Sequence, residues 1–431
     1  VTAPAVRQVL DNGLTVLARA THHAPVATFW LWYRVGSRNE LPGRTGISHW
    51  VEHMLFKGTS RFPKGEIDRR IAREGGLFNG MTWLDWTTYF ETLPAERVDL
   101  ALELEADRMT GSLFEPAEVD SERSVIVAER EGYENSPLFQ LAEELQSSAI
   151  KVHPYHHEVI GWRTDLETMT RDDLLDHYRR HYHPTNAVAV AVGAFEPEEM
   201  LGRIAERFGP LPAGPPAAPV RMVEPPQRGE RRVTLRGDDE TAYVSVAYHA
   251  PAATDPDFFA FQILDAVLGG AKSMNLFGGD PPNRSSRLYR GLVETELASG
   301  VSSGMAATLD PFLYTVSAVV RTQAAPEAVE AGILAEVERL RRGELAAAEV
   351  ERAVKQARAQ FAFSAESVTD QGFWLGFAEM VADQAWLEGY LERLAAVTVA
   401  DVVAAAERWL AEEGRTVGLY LPQATAQAGR A

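Results

Sequence analysis

The sequence predicts an α+β protein of two homologous domains, each a mostly antiparallel sheet with helices on one face, related by internal duplication. Three observations lead there. The chain has 431 residues, which suits two domains of about 200 better than one. Between Gly209 and Gln227 prolines and glycines are dense, including Gly214-Pro215-Pro216 and Pro225-Pro226, and mark a semi-rigid connection. The third is self-similarity. Leu166-x3-Thr170-x2-Asp173-Leu174, a helix to Tyr182 and an apolar strand from Val188 recur 228 positions on. The second copy is Leu394-x3-Thr398-x2-Asp401-Val402, a helix to Leu410 and a strand from Thr416. The domains are therefore placed at 1–208 and 231–431, with 209–230 as linker.

Within each half the elements follow from local pattern. Val6 to Leu10 and Leu14 to Ala20 flank Asn12-Gly13, a hairpin turn signal, and Ala27 to Val35 is rich in strand formers. Helical stretches run over Ile67 to Glu74, Ala95 to Met109, Ala117 to Glu131 and Asp172 to Tyr182. The second half opens with strand material around Arg232 to Ala250. It closes with helices around Ala325 to Arg342, Ala346 to Phe363 and Val399 to Leu410. A Gly- and Pro-rich stretch from Gly269 to Asn283 reads as an insertion loop.

Composition narrows the function. A formal charge of -19 argues against nucleic acid and anionic membranes, and favours neutral or basic peptides as ligands. With no cysteine there is neither a disulfide nor a thiolate metal site. No stretch reaches the roughly 18 apolar residues of a membrane span. The sequence starts at Val1 rather than Met, as after processing, and the expected compartment is the bacterial periplasm, with the cytoplasm as alternative.

The chemistry is concentrated in His49-Trp50-Val51-Glu52-His53. Residues four apart are neighbours on a helix, so both imidazoles can reach one metal ion, while Glu52 projects from nearly the same face. This His-x-x-Glu-His order is a catalytic zinc motif. Met54-Leu55-Phe56 can anchor the helix, and Lys57-Gly58-Thr59 supplies its end. A third ligand must come from elsewhere in the chain. The leading candidate is Glu129, on a stretch of good helix formers between Pro116 and Pro137. Glu122 lies seven residues before it, two turns away on the same face, and is placed to support the site.

With these residues in view the chain resembles the pitrilysin/insulinase family of zinc peptidases, most of all its two-domain bacterial and mitochondrial-processing-peptidase branch. In that family both motif histidines and a glutamate about 76 residues downstream hold the metal; Glu129 stands 76 after His53. The resemblance implies one Zn2+ per chain on His49, His53 and Glu129, with Glu52 as general base and Glu122 in support. Gly75 to Thr82, followed by Asp85, Thr87 and Tyr89, resembles the family's segment leading into the strand that pairs with substrate, and makes Asn79 a substrate contact. Trp83 and Trp86 read as core. His153-Pro154-Tyr155-His156-His157 resembles a structural loop of the family ending near Gly161, rather than a second metal cluster. Ten of the eleven histidines precede residue 184, so the second half, with His249 alone, should be metal-free, as in the family.

One departure stands out. Active members carry in the second domain an Arg followed seven residues later by a Tyr, which hold substrate and stabilise the transition state. Ser285-Ser286-Arg287-Leu288-Tyr289 matches the family and places that pair on Val293 and Gly300, neither of which donates a side-chain hydrogen bond. A register slip would bring Tyr289 or Arg290 there instead. The reading is a zinc endopeptidase of peptides or unfolded polypeptides, and the zinc-bearing subunit of a heterodimer whose homologous partner lacks the zinc motif and supplies Arg and Tyr. A homodimer is the alternative assembly. A non-catalytic peptide-binding or scaffold subunit is the alternative function.

Overall fold

The computed structural model describes residues 4–275 and 284–423, so 276–283 of the expected insertion loop lie outside the described residues. The chain forms two compact units, and each takes a segment from the other half of the sequence. The first gathers residues up to 130, 157–222 and 363–388; the second gathers 131–156, 223–362 and 389 onward. Residues 212–228 carry neither helix nor strand, in keeping with their prolines.

Six strands build the first sheet: β1 (Val6–Val9), β2 (Thr15–Ala20), β3 (Val26–Tyr33), β4 (Leu77–Thr82), β5 (Thr87–Pro94) and β6 (Ala187–Gly193), in the order β1-β2-β6-β3-β5-β4. Only β2 and β6 run parallel. The hairpin joining β1 to β2 closes through Gly13, whose φ of +88° is the left-handed conformation glycine tolerates. The second sheet contains β7 (Arg231–Gly237), β8 (Tyr243–Ala250), β9 (Ala298–Met305), β10 (Phe312–Val320) and β11 (Arg415–Pro422), in the order β7-β11-β8-β10-β9. Here β7 and β11 are the parallel pair. With β1 set aside, the two orders and strand senses are the same. Duplication is thus written in the topology, and also in detail: Thr170 with Asp173, and Thr398 with Asp401, form equivalent capping boxes at the start of equivalent helices.

Each unit's own helices cover one face of its sheet, and the opposite face receives the helix from the other half. In the first unit Phe29 meets Phe208 and Tyr33 meets Tyr182 on one side. On the other side Trp30 and Trp32 meet Phe373 of the helix Val368–Val381. Gly372 and Gly376 let that helix lie directly on the indoles, since a Cβ at either would come within 2.5 Å of a tryptophan ring. In the second unit the helix Pro137–Ala149 plays this part, with Leu141 and Leu145 seated over Gly418 of β11. Coverage on both faces explains why β3 and β6 are buried along almost their whole length.

Candidate metal centre

The motif helix, Ile47–Met54, begins without a side-chain cap. Gly46 takes φ +85° there, and a Cβ on it would lie 2.4 Å from the Ile160 carbonyl. The buried Glu40 carboxylate stands in for the cap, accepting the N–H groups of Gly46 and Ser48 at 2.8 and 2.9 Å. Ser48 Oγ lies 3.2 Å from His177 Nε2, tying the helix to the segment Arg171–His181. The helix Pro116–Glu134 is fixed against the motif helix by Arg123, whose guanidinium lies 4.7 Å from the Trp50 ring and donates to the carbonyls of Leu166 and Met169.

Between these helices His49, His53 and Glu129 each offer one ligand atom, all within 4.8 Å of one another, and among the described residues they are the only such group. Nε2 of His49 and His53 are 3.2 Å apart, and Glu129 Oε2 stands 3.9 and 3.8 Å from them. A tetrahedral ion with bonds of about 2.0–2.1 Å needs ligand separations of about 3.3 Å, so the donor set fits zinc with sub-ångström adjustment. Glu122 accepts from His53 Nδ1 at 2.8 Å and is itself bridged by Lys57. That bond directs Nε2 toward the ligand cluster, the outer-sphere role common for metal-bound imidazole. Glu52 is 7% exposed, and its Oε2 accepts from Thr82 Oγ1 at 2.9 Å.

Burial sets the electrostatics. It pushes the Glu52 carboxyl up to about 7, with Glu129 adding to the rise and His53 and Thr82 opposing it. Burial, reinforced by His53, takes His49 down to about 3. For His53 burial again opposes the charge, but the Glu122 hydrogen bond and the Glu52 and Glu129 charges outweigh it and hold its pKa above the ordinary range. The two histidines therefore behave differently toward protons. Zinc needs both rings neutral; His49 already is at any working pH, so His53 alone competes. In a Glu52→Gln background, log zinc affinity should rise with pH by about one unit per pH unit below the His53 pKa and flatten above it. Zinc titrations with a fluorescent chelator from pH 5 to 9 would read this directly. A limiting slope of two would contradict the asymmetry.

The remaining expected residues fall as follows. Asn79 is exposed on β4, the edge strand, with its Oδ1 turned to the Gly80 N–H at 2.9 Å. Trp86 is fully buried and Trp83 half-buried. His153 is 3.2 Å from Asp310, whereas the buried His157 lies 3.8 Å from Glu40, so that loop serves packing in both units. Val293 ends a π-helical turn, Tyr289–Val293, and Gly300 lies in β9 opposite Val319. Sequence reasoning missed Glu40 and Thr82. Only the sheet register, which sets Thr82 opposite Thr87, and the fold of the loop before the motif helix bring them in.

The family descriptions "Insulinase (Peptidase family M16)" and "Peptidase M16 inactive domain" match residues 15–162 and 168–357. The chain is similar to the "Zinc protease PqqE" of Helicobacter pylori, at 29% identity over 419 residues, covering 96% of this chain and 92% of that protein. It is also 29% identical to a probable mitochondrial-processing peptidase subunit beta of Arabidopsis thaliana, over 74% of this chain and 60% of that protein. Among solved structures, "a protease from Helicobacter pylori" superposes with a TM-score of 0.92 at 28% identity, covering 98% of this chain and all of that one. The chain belongs to the insulinase family of peptidases, M16.

Proposed function

We propose that this chain is a zinc-dependent endopeptidase acting on peptides or unfolded polypeptides, and that it works as the zinc-bearing subunit of a heterodimer. The observation that carries the reading is the grouping of His49, His53 and Glu129 beside the buried Glu52. Bound at those three ligands, zinc would supply Lewis-acid polarisation of the scissile carbonyl and lower the pKa of an attacking water. Glu52, buried beside the three ligands, takes the proton from that water and passes it to the leaving amine. An extended peptide adds to the edge strand β4 at Asn79, where main-chain hydrogen bonds give affinity with little sequence selectivity.

A side-chain donor to join zinc at the oxyanion is what this chain lacks. Val293 and Gly300 occupy the positions of the family's Arg and Tyr, and neither carries a side-chain donor. A homologous partner supplies them, a reading supported by the similarity to processing-peptidase beta subunits. Loss of such donors costs about 10²–10³ in rate. The isolated chain should therefore cleave an unfolded peptide at least about a hundredfold more slowly than the chain mixed with a homologue from the same source that retains Arg and Tyr. Full activity of the chain alone would reject the partner. A chain that binds stoichiometric zinc and peptide yet cleaves in neither assay would be the scaffold alternative. We place the complex in the bacterial periplasm, testable by fractionation of the native host. None of the described helices is long and apolar enough to cross a membrane.

A further inference from the structure

We infer that Thr82 is a positioning residue for the base: its hydroxyl selects which oxygen of Glu52 takes the proton from the attacking water. The inference rests on the peptidase reading above and goes beyond it to a residue that carries neither metal nor substrate.

Thr82 ends β4, where it is 6% exposed and pairs with Thr87 across the β4–β5 hairpin. Its Oγ1 lies 2.9 Å from Glu52 Oε2 and 3.3 Å from Thr87 Oγ1. Thr87, fully buried, donates its own proton to the Val35 carbonyl at 2.9 Å. A hydroxyl has one proton to give. With that of Thr87 committed to Val35, the proton of Thr82 goes to the carboxylate. Among the described side chains only Thr82 donates to the carboxylate, at Oε2, and the Thr82 backbone N–H adds to the hold on the carboxyl. The two oxygens of one carboxylate are thus made inequivalent before any substrate arrives. Oε1, the oxygen without a side-chain donor, is the one that receives the proton, and the carboxylate cannot rotate without breaking a buried hydrogen bond.

The same contact couples base to substrate strand. Asn79 and Thr82 lie on one six-residue strand, Leu77–Thr82, so a peptide that adds to its edge bears on the segment holding Glu52 in register. Gly80, between them, has Phe56 and Tyr89 pressed against it: a Cβ there would lie 2.9 Å from the Phe56 ring and 3.0 Å from the Tyr89 ring. This end of the strand therefore has little room to shift. The hydroxyl acts through Glu52 and touches no reacting atom, so its loss should appear in turnover and not in substrate affinity.

The experiment compares Thr82→Val, Thr82→Ser and Glu52→Gln in whichever assembly, single chain or complex, cleaves peptide. Valine keeps shape and removes the donor. Thr82→Val should lower kcat about 10–100-fold with KM within about twofold, and Thr82→Ser should recover most of the loss. A readout independent of turnover is available in the metal-free chain. Crystals of Thr82→Val should show the Glu52 carboxylate in more than one rotamer, while those of Thr82→Ser show one, and zinc affinity should match the parent in both. Thr82→Val with kcat within twofold of the parent, or with a single unchanged Glu52 rotamer, would overturn the inference. Were Glu52→Gln to remain fully active, Glu52 would not be the base and the role of Thr82 would fall with it. Were the zinc-loaded parent to cleave peptide in no assembly, the peptidase reading itself would fall, a result distinguishable because it appears in the parent.

Discussion

Glu52→Gln is expected to retain stoichiometric zinc and to lose peptide hydrolysis by 10²–10⁴-fold, the range typical of a missing general base. Glutamine preserves volume and still accepts the Thr82 hydrogen bond through its amide oxygen, but it cannot take a proton. His49, His53 and Glu129 are untouched, so metal analysis by plasma mass spectrometry should return the same content as the parent. A stability readout separates loss of the base from a damaged site. A carboxyl whose folded pKa is raised, here to about 7, contributes stability that is complete below its unfolded pKa of about 4.5 and lost as pH rises through the folded value. The metal-free glutamine variant should therefore melt above the metal-free parent at pH 8, and the two should converge near pH 4. Retained turnover removes Glu52 from its role; a variant that both loses activity and melts lower at pH 8 would point to structural damage instead.

The second large effect concerns stability. Arg108 lies in the core of the first unit with no exposed surface, donating to Glu105 at 2.9 Å and to Glu91 at 3.3 Å, and with a further short contact to Glu105. Its guanidinium stacks 4.2 Å from the Tyr89 ring centroid and 5.4 Å from that of Phe56, the two rings that bracket Gly80 of the edge strand. Arg108→Met should cost about 3–5 kcal/mol, because it strands two carboxyls where no water reaches them. For a unit of some 200 residues that is a fall of roughly 6–20 °C in melting temperature. Burial, with Glu105 adding to it, holds Glu91 well above the carboxylate range, and Arg108 opposes that rise. Without the cation that opposes its rise, Glu91 is pushed up further. Groups so raised lose their stabilising contribution as pH rises from the unfolded pKa through the folded one, so the deficit should be larger at pH 8 than at pH 5. Urea unfolding at the two pH values checks both magnitude and sign. A deficit under about 1 kcal/mol, or one that shrinks as pH rises, would contradict the account. Adding Glu91→Gln and Glu105→Gln should restore part of the loss.

What could be read in advance divides along physical lines. His49, Glu52 and His53 share a helix, and a period of 3.6 residues puts them on one face whatever the rest of the chain does. The repeat was legible for a similar reason, since Thr170 and Thr398 sit at helix starts where local hydrogen bonding selects the residue. Glu129 was different. Its helix could be drawn from composition, but its distance from His53 in space came only with the family's spacing. Glu40, Thr82 and the helix Val368–Val381 were not legible. That helix is buried at eleven of fourteen positions, so it lacks the apolar stripe by which surface helices announce themselves. Its one signal was Gly372 and Gly376, four apart, which is the spacing of a helix lying against bulky rings.

Each sheet's reliance on a helix from the other half bears on how this chain is made. During synthesis the first sheet's last strand, β6, is complete at Gly193, yet the indoles of Trp30 and Trp32 wait for Phe373. At 5–20 residues per second that delay is on the order of 10–40 s, far longer than hydrophobic collapse takes. A nascent chain of this design carries a sticky aromatic surface uncovered while it is still being synthesised, making it a natural client for holding chaperones. For the same reason, either half expressed by itself should aggregate, and recovery should come from co-expressing the missing helix.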